Sequence, residues 1–121
     1  LKRNDKGWEA LMDMIPHFRP PFLCVSERPT NEIINFLTGL GGVLQLIVMG
    51  FAGVRYHDNE LIVEPCMPKE WASLKMYGMH YKGSVFDLIV ENNGEKVSVN
   101  VKSKKESIKI VNRKGAIIHQ S

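Results

Sequence analysis

A chain of 121 residues, 44% apolar and 24% charged, has an ordinary globular composition and enough length for one real core. Its formal net charge of +3 gives no case for a nucleic-acid partner, since no basic stripe with interleaved aromatics accompanies it. Two cysteines, Cys24 and Cys66, do not make a disulfide framework and read as buried free thiols.

In chain order, Leu1–Asp13 is charged and amphipathic, without the apolar centre of a signal peptide, and no initiating Met precedes it. It reads as an internal start. Trp8, Leu11, Met12 and Ile15 fall at helical spacing and predict a helix over Gly7–Ile15 that packs by this stripe and stops at Pro16. Pro20 and Pro21 keep the next segment extended, so Phe22–Glu27 is expected as a strand or loop bounded by Pro29. Thr30 or Asn31 then offers a helix cap, with Glu32 adding first-turn negative charge.

Phe36–Val54 holds nineteen residues and no charge, close to the roughly 20 that cross a bilayer. Five glycines (Gly39, Gly41, Gly42, Gly50, Gly53), a central Gln45 and flanks without basic asymmetry argue instead for a helix buried in a larger protein. The expectation is therefore no membrane span. Each mid-helix glycine costs roughly 1 kcal/mol relative to Ala, and close helix packing is the favoured reason to keep them. Gly39-Leu40-Gly41-Gly42 is not a dinucleotide fingerprint: no strand precedes it, and Leu44 stands where the third glycine belongs.

From Val54 the apolar period shifts from 3.6 to 2. Val54–His57 and Glu60–Glu64 around Asp58-Asn59 predict a hairpin, and Pro68–Ala72 a turn at Trp71. Strands follow at Leu74–Met79, His80–Tyr81, Val85–Val90 and Lys96–Lys102, with turns near Gly83 and at Asn92-Asn93-Gly94. In the third of these, Phe86, Leu88 and Val90 oppose Val85, Asp87, Ile89 and Glu91. Ser107–Val111 and Ala116–His119 close the series around Arg113–Gly115. The late basic run (Lys102, Lys104, Lys105, Lys109, Arg113, Lys114) suits the solvated face of an edge hairpin. The fold class is α+β: helices first, then six or seven short antiparallel strands forming a small β-sandwich or jelly-roll-like unit.

Little of this carries chemistry by itself. His17, His57, His80 and His119 share no ligand spacing with each other or with the cysteines, so neither a metal nor a cofactor is expected. Cys24 would need His17 brought beside it to act as a nucleophile. Trp71, Tyr77 and Tyr81 offer faces that suit sugar rings, although strand spacing favours core or interface roles for them. Glu27 follows an apolar run and precedes Pro29, so it is a carboxylate on a constrained loop and a candidate general base. The pattern alone does not separate it from a solvated loop carboxylate.

Several motifs in order extend the reading. Pro21-Phe22-x-x-x-Ser26-Glu27 is followed by Asn35-Phe36-Leu37-Thr38-Gly39-x-Gly41-Gly42-x-Leu44-Gln45, then Gly50-Phe51-x-Gly53-Val54-Arg55. Pro65-Cys66-Met67-Pro68-x-x-Trp71 and Tyr77-Gly78-x-x-Tyr81-x-Gly83 come next. Together they resemble the end of the catalytic domain and the C-terminal β-domain of glycoside hydrolase family 65, in its kojibiose and glucosylgalactosyl-hydroxylysine glucosidase branch. Leu23-Cys24-Val25 departs from the Asn-Val-Trp expected before Ser-Glu in that branch. The resemblance implies that residues 1–53 end an (α/α)6 barrel and residues 54–121 form the β-sandwich domain. It further implies an inverting hydrolase of α-linked gluco-disaccharides or glucosylated glycans, with Glu27 as general base and the general acid upstream of these residues. The implied partners are an α-glucoside substrate and the remainder of the barrel, from the same polypeptide or another chain; a homodimer is also open. A phosphorylase of the same family is the alternative, against which a carboxylate at Glu27 would repel phosphate. A non-catalytic β-sandwich interaction module is the second.

Overall fold

The computed structural model describes residues 4–20, 24–26, 37–92 and 96–120. Helix α1 (Asn4–Met14) tightens into a 3-10 turn at Ile15–His17. Leu11 is buried and Trp8 and Met12 are half-buried as the stripe predicts, but Ile15 is 51% exposed. The tighter winding of the 3-10 turn takes Ile15 off the buried face, and Met14 packs there instead. Strands β1 (Phe18–Arg19) and β2 (Cys24–Val25) then form a two-stranded antiparallel ribbon.

Helix α2 (Leu37–Gln45) continues as π-helix through Leu46–Phe51, where the Ala52 N–H donates to the Ile47 carbonyl at 3.0 Å. The predicted caps Thr30 and Asn31 lie outside the described residues. Val43 and Phe51 are buried, whereas Leu37, Leu44 and Met49 are exposed, so within this chain the helix covers one face only. Close packing does not explain Gly41 and Gly42 here, because a Cβ at either would meet no atom within 4 Å. Among the described residues, nothing lies against the helix at either position. No helix among the described residues is long and apolar enough to cross a membrane.

Gly50-Phe51-x-Gly53-Val54-Arg55 forms the corner from helix to sheet. Phe51 is buried and its carbonyl accepts the Cys66 N–H at 2.8 Å. Gly53 has φ +68, and a Cβ there would lie 1.7 Å from the Glu64 carbonyl oxygen. Arg55 donates to the carbonyls of Met49 and Val54, capping the helix end. Trp71 closes the corner from the other side, its ring edge-on to Phe51 (centroids 5.1 Å apart) and to Trp8 of α1 (6.0 Å). The Asn92 side chain holds the Trp71 turn by donating to the Pro68 and Trp71 carbonyls at 2.9 and 2.8 Å. Asn4, at the start of α1, donates to the Met67 carbonyl at 2.8 Å.

Seven strands follow: β3 (Val54–Tyr56), β4 (Leu61–Val63), β5 (Ser73–Tyr81), β6 (Ser84–Glu91), β7 (Lys96–Ser103), β8 (Lys109–Val111) and β9 (Ile117–Gln120). They make a four-stranded sheet ordered β3-β4-β8-β9 and a three-stranded sheet ordered β5-β6-β7. The expected hairpins are present, with β5 and β6 continuous through a two-residue turn at Lys82 (φ 49) and Gly83 (φ 72). One expectation fails: β4 and β8 pair parallel, so the four-stranded sheet is mixed, while the three-stranded sheet is antiparallel as expected. A parallel pair requires a long crossover, and the whole β5-β6-β7 sheet intervenes between these two strands.

Both sheets feed one apolar cluster. Val54, Leu61, Val63 and Ile110 come from the first, Tyr81, Phe86 and Leu88 from the second, with Ile108 just ahead of β8. Full burial of each large side chain stabilises by roughly 1.5–3 kcal/mol. The buried Ser84 hydroxyl fastens the chain entering β8, donating to the Glu106 carbonyl and accepting from the N–H groups of Lys105 and Glu106.

Strand β5 slips register between Met76 and Met79. Without the bulge, the alternation that directs Leu74 and Met76 inward would turn Met79 outward. With it, Met79 packs on the core as well. Gly78 supplies the left-handed residue (φ +64), and its N–H donates to Asp87 Oδ1 at 2.9 Å. Lys102 pairs with the same oxygen at 3.0 Å. Asp87 shares the outward positions of β6, as the alternation predicts, yet is only 6% exposed beneath these contacts.

Two tests follow from these contacts. Gly53 and Gly115 both have positive φ, but a Cβ at Gly115 meets open space. In denaturant titrations Gly115→Ala should cost about 1 kcal/mol, and Gly53→Ala at least about twice that because of the Glu64 carbonyl. The Gly78 N–H, aided by Lys102 and opposed by burial, holds the Asp87 carboxyl below its ordinary 3.8. Such a group stabilises the fold above its unfolded value and loses that contribution as pH falls through the folded one. Stability should therefore drop below about pH 4 in the native chain, and the drop should shrink in Asp87→Asn.

Candidate functional site

The residues leading into the predicted base loop are firmly held. The β1–β2 register sets Phe18 opposite Val25 and Arg19 opposite Cys24. One residue further, the Ser26 N–H donates to the His17 carbonyl at 2.8 Å, and His17 Nδ1 lies 3.2 Å from the Ser26 carbonyl oxygen. A carbonyl only accepts, so this contact requires the proton on Nδ1. Val25 and Ser26 are both buried, and β2 lies against α2. A loop leaving such an anchor starts from a fixed point, which is what a positioned catalytic group needs. Glu27 follows Ser26 directly and lies outside the described residues. The ribbon gives His17 to Ser26 and sets Cys24 opposite Arg19, so the register does not align Cys24 with His17.

The three aromatics suited to sugar faces do not form one surface. Trp71 is half-buried between Trp8 and Phe51. Tyr81 is buried, with its hydroxyl donating to the His57 carbonyl; burial, then the nearby Asp58 and Glu60 charges, raise its phenol above the usual value. Tyr77 alone stands in solvent, 66% exposed, with the Lys102 ammonium 5.8 Å from its ring centroid. The bulge at Gly78 separates Tyr77 from the inward-facing residues on either side.

Sequence reading missed two arrangements that need tertiary structure. One is the Asp87–Lys102 pair beneath Tyr77. The other is a cleft of about 450 Å³ between α1, the π-helical turn and the β3–β4 hairpin, with Arg55, Glu64, Cys66 and Arg113 among its lining. Arg55 is engaged with backbone carbonyls there, and Arg113 lies 3.6 Å from Glu64. The free thiol of Cys66 is half-buried. These groups brace the helix–sheet corner. Among the described residues, no three His, Cys, Asp or Glu gather in a way that could hold a metal ion.

Residues 54–116 match the C-terminal domain of glycosyl hydrolase family 65. The chain is 44% identical over 68 residues to a protein-glucosylgalactosylhydroxylysine glucosidase of Dictyostelium discoideum, covering 56% of this chain and 10% of that protein. It is 31% identical over 108 residues to the protein of the same name from Danio rerio, covering 88% of this chain and 16% of the relative. A kojibiose hydrolase of Flavobacterium johnsoniae is 33% identical over 91 residues, covering 73% and 13%. Proteins named as trehalose and kojibiose phosphorylases also match. The chain thus spans between a tenth and a sixth of the length of the three relatives first described. No solved structure matches. With more than half of its length matched to the family's C-terminal domain, the chain belongs to glycosyl hydrolase family 65.

Proposed function

We propose that this chain is the C-terminal portion of an inverting α-glucoside hydrolase that acts on α-linked gluco-disaccharides or glucosylated glycans. One observation carries the reading. The likeness to the Danio rerio glucosidase covers more of the chain than the β part contains, so it runs into the helical segment that holds Ser26-Glu27. In this reading residues 1–53 end an (α/α)6 barrel, and residues 54–121 form a jelly-roll-like β-sandwich that buttresses it. Glu27 is the general base. It draws a proton from a water that attacks the anomeric carbon from the face opposite the leaving group. An acid elsewhere in the barrel protonates the glycosidic oxygen, with the two carboxyl groups about 6.5–9.5 Å apart. The anchor of Ser26 on His17 fixes where the base loop begins.

The remainder of the barrel is the partner that covers the open face of α2. Exposed Leu37, Leu44 and Met49, with Gly41 and Gly42 facing no neighbour among the described residues, support a helix shaped for a close neighbour. The 121-residue chain should bind a hydrophobic-surface dye or self-associate, and the longer polypeptide should do neither. A clean monomer of the short chain without dye binding would count against this partner.

Glucose release from kojibiose and other α-linked disaccharides, by a longer polypeptide that contains this chain, tests the chemistry. Release without phosphate, with the β-anomer formed first, is expected, and Glu27→Gln should slow turnover about 10²–10⁴-fold. Phosphate-dependent formation of glucose 1-phosphate would establish a phosphorylase instead. An unaffected Glu27→Gln variant would leave Glu27 an ordinary loop carboxylate.

A further inference from the structure

The outer face of the β5-β6-β7 sheet carries a second group of polar and aromatic residues that the proposed hydrolysis does not use. Tyr77 stands on it 66% exposed, more than any other aromatic among the described large apolar residues. The Lys102 ammonium lies 5.8 Å from the Tyr77 ring centroid and 3.0 Å from Asp87 Oδ1. Asp87 is paired in register with the exposed Asn100 of β7, so both belong to the same face. The Gly78 N–H and the Lys102 ammonium both reach Asp87 at Oδ1, at 2.9 and 3.0 Å.

We infer that Tyr77, Asp87, Asn100 and Lys102 form a binding subsite for a hexopyranosyl residue, the aromatic ring stacking on the sugar and the three polar side chains meeting its hydroxyls. Four features favour this occupant. The aromatic ring is presented to solvent, where it can stack against the C–H face of a pyranose. Its position is fixed by the bulge, which lowers the ordering cost of binding. The carboxylate and ammonium cancel one another, so the patch suits a neutral ligand rather than an anion or a cation. Between them, the Asp87 carboxylate accepts, Lys102 donates and the Asn100 amide does both, the mixture that vicinal hydroxyls require. Sugar as the ligand class agrees with the family to which the chain belongs, and the subsite does not depend on Glu27.

The ligand could be a free glucoside or a glucosyl group on a protein-linked glycan, so the test uses both. The probes are methyl α-glucopyranoside and a glucosylgalactosyl-hydroxylysine peptide, with acyclic sorbitol as the control that lacks a ring face. The longer polypeptide that contains this chain is labelled with 3-fluorotyrosine, and the Tyr77 resonance is assigned by its loss in Tyr77→Phe. A saturable shift of that resonance with either glucosyl probe, absent with sorbitol, is expected; the probe giving the lower Kd identifies the source. Asn100→Ala, at an exposed position that should not disturb folding, should raise Kd about tenfold. No shift with either probe overturns the subsite. So does an equal response to sorbitol, or a shift that follows protein concentration, which would make this face a contact between two copies of the chain. Because the readout is binding at Tyr77, it stands whether Glu27→Gln abolishes hydrolysis or leaves it untouched.

Discussion

Trp71 decides how the helical and sheet parts of this chain meet. Its ring is edge-on to Trp8 from the first helix and to Phe51 from the end of the second, two contacts each worth about 0.5–1.5 kcal/mol beyond the area they bury. Everything around it serves to keep it there. Asn92, at the far end of β6, fixes the carbonyls of its turn; Asn4 ties the first helix to Met67; and the Gly53 corner brings Phe51 beneath it. The helices and the sheet are therefore joined by packing and not by the covalent link alone.

The sequence patterns that depend on local periodicity were legible. Alternation in Val85–Glu91 predicted which side chains of β6 enter the core, and the turn residues predicted the hairpins. The motif Gly50-Phe51-x-Gly53-Val54-Arg55 could be recognised but not explained from sequence, because its constraint is the carbonyl of Glu64, eleven residues on. What escaped was set by partners distant in sequence. The parallel pairing of β4 with β8 depends on a crossover that no local pattern encodes. The exposure of Ile15 depends on a change of helical winding, and the separation of Tyr77 from Tyr81 on a single inserted residue in β5.

The candidate site divides in the same way. The resemblance singled out Ser26-Glu27 from residue order, and the fold supplies the reason Ser26 is where it is: a two-residue ribbon and two contacts with His17. Spacing gave no hint of that pairing, since His17 and Ser26 meet only through the register of β1 on β2. The alternation of β6 puts Asp87 on the side away from Phe86, Leu88 and Val90 and says nothing of its burial. Its burial under Lys102 comes from the neighbouring strand, and its bond to Gly78 from a bulge in the strand before it.

The π-helical turn at Leu46–Phe51 sets the rotational phase of the whole corner. A π-turn accommodates one residue more than the α-helix would over the same path, and each helical residue carries about 100° of rotation. That extra residue is what lets Phe51 point at Trp71 while Met49 remains on the open side. A deletion of one residue here would restore regular α-geometry and improve the helix taken alone. It would also swing the aromatic anchor away from its partners, so the local defect in the helix is the condition for the join between the two parts of the chain. The length of this segment is thus under tighter constraint than its composition: side chains can be exchanged for others of similar volume, but residues can be neither added nor lost.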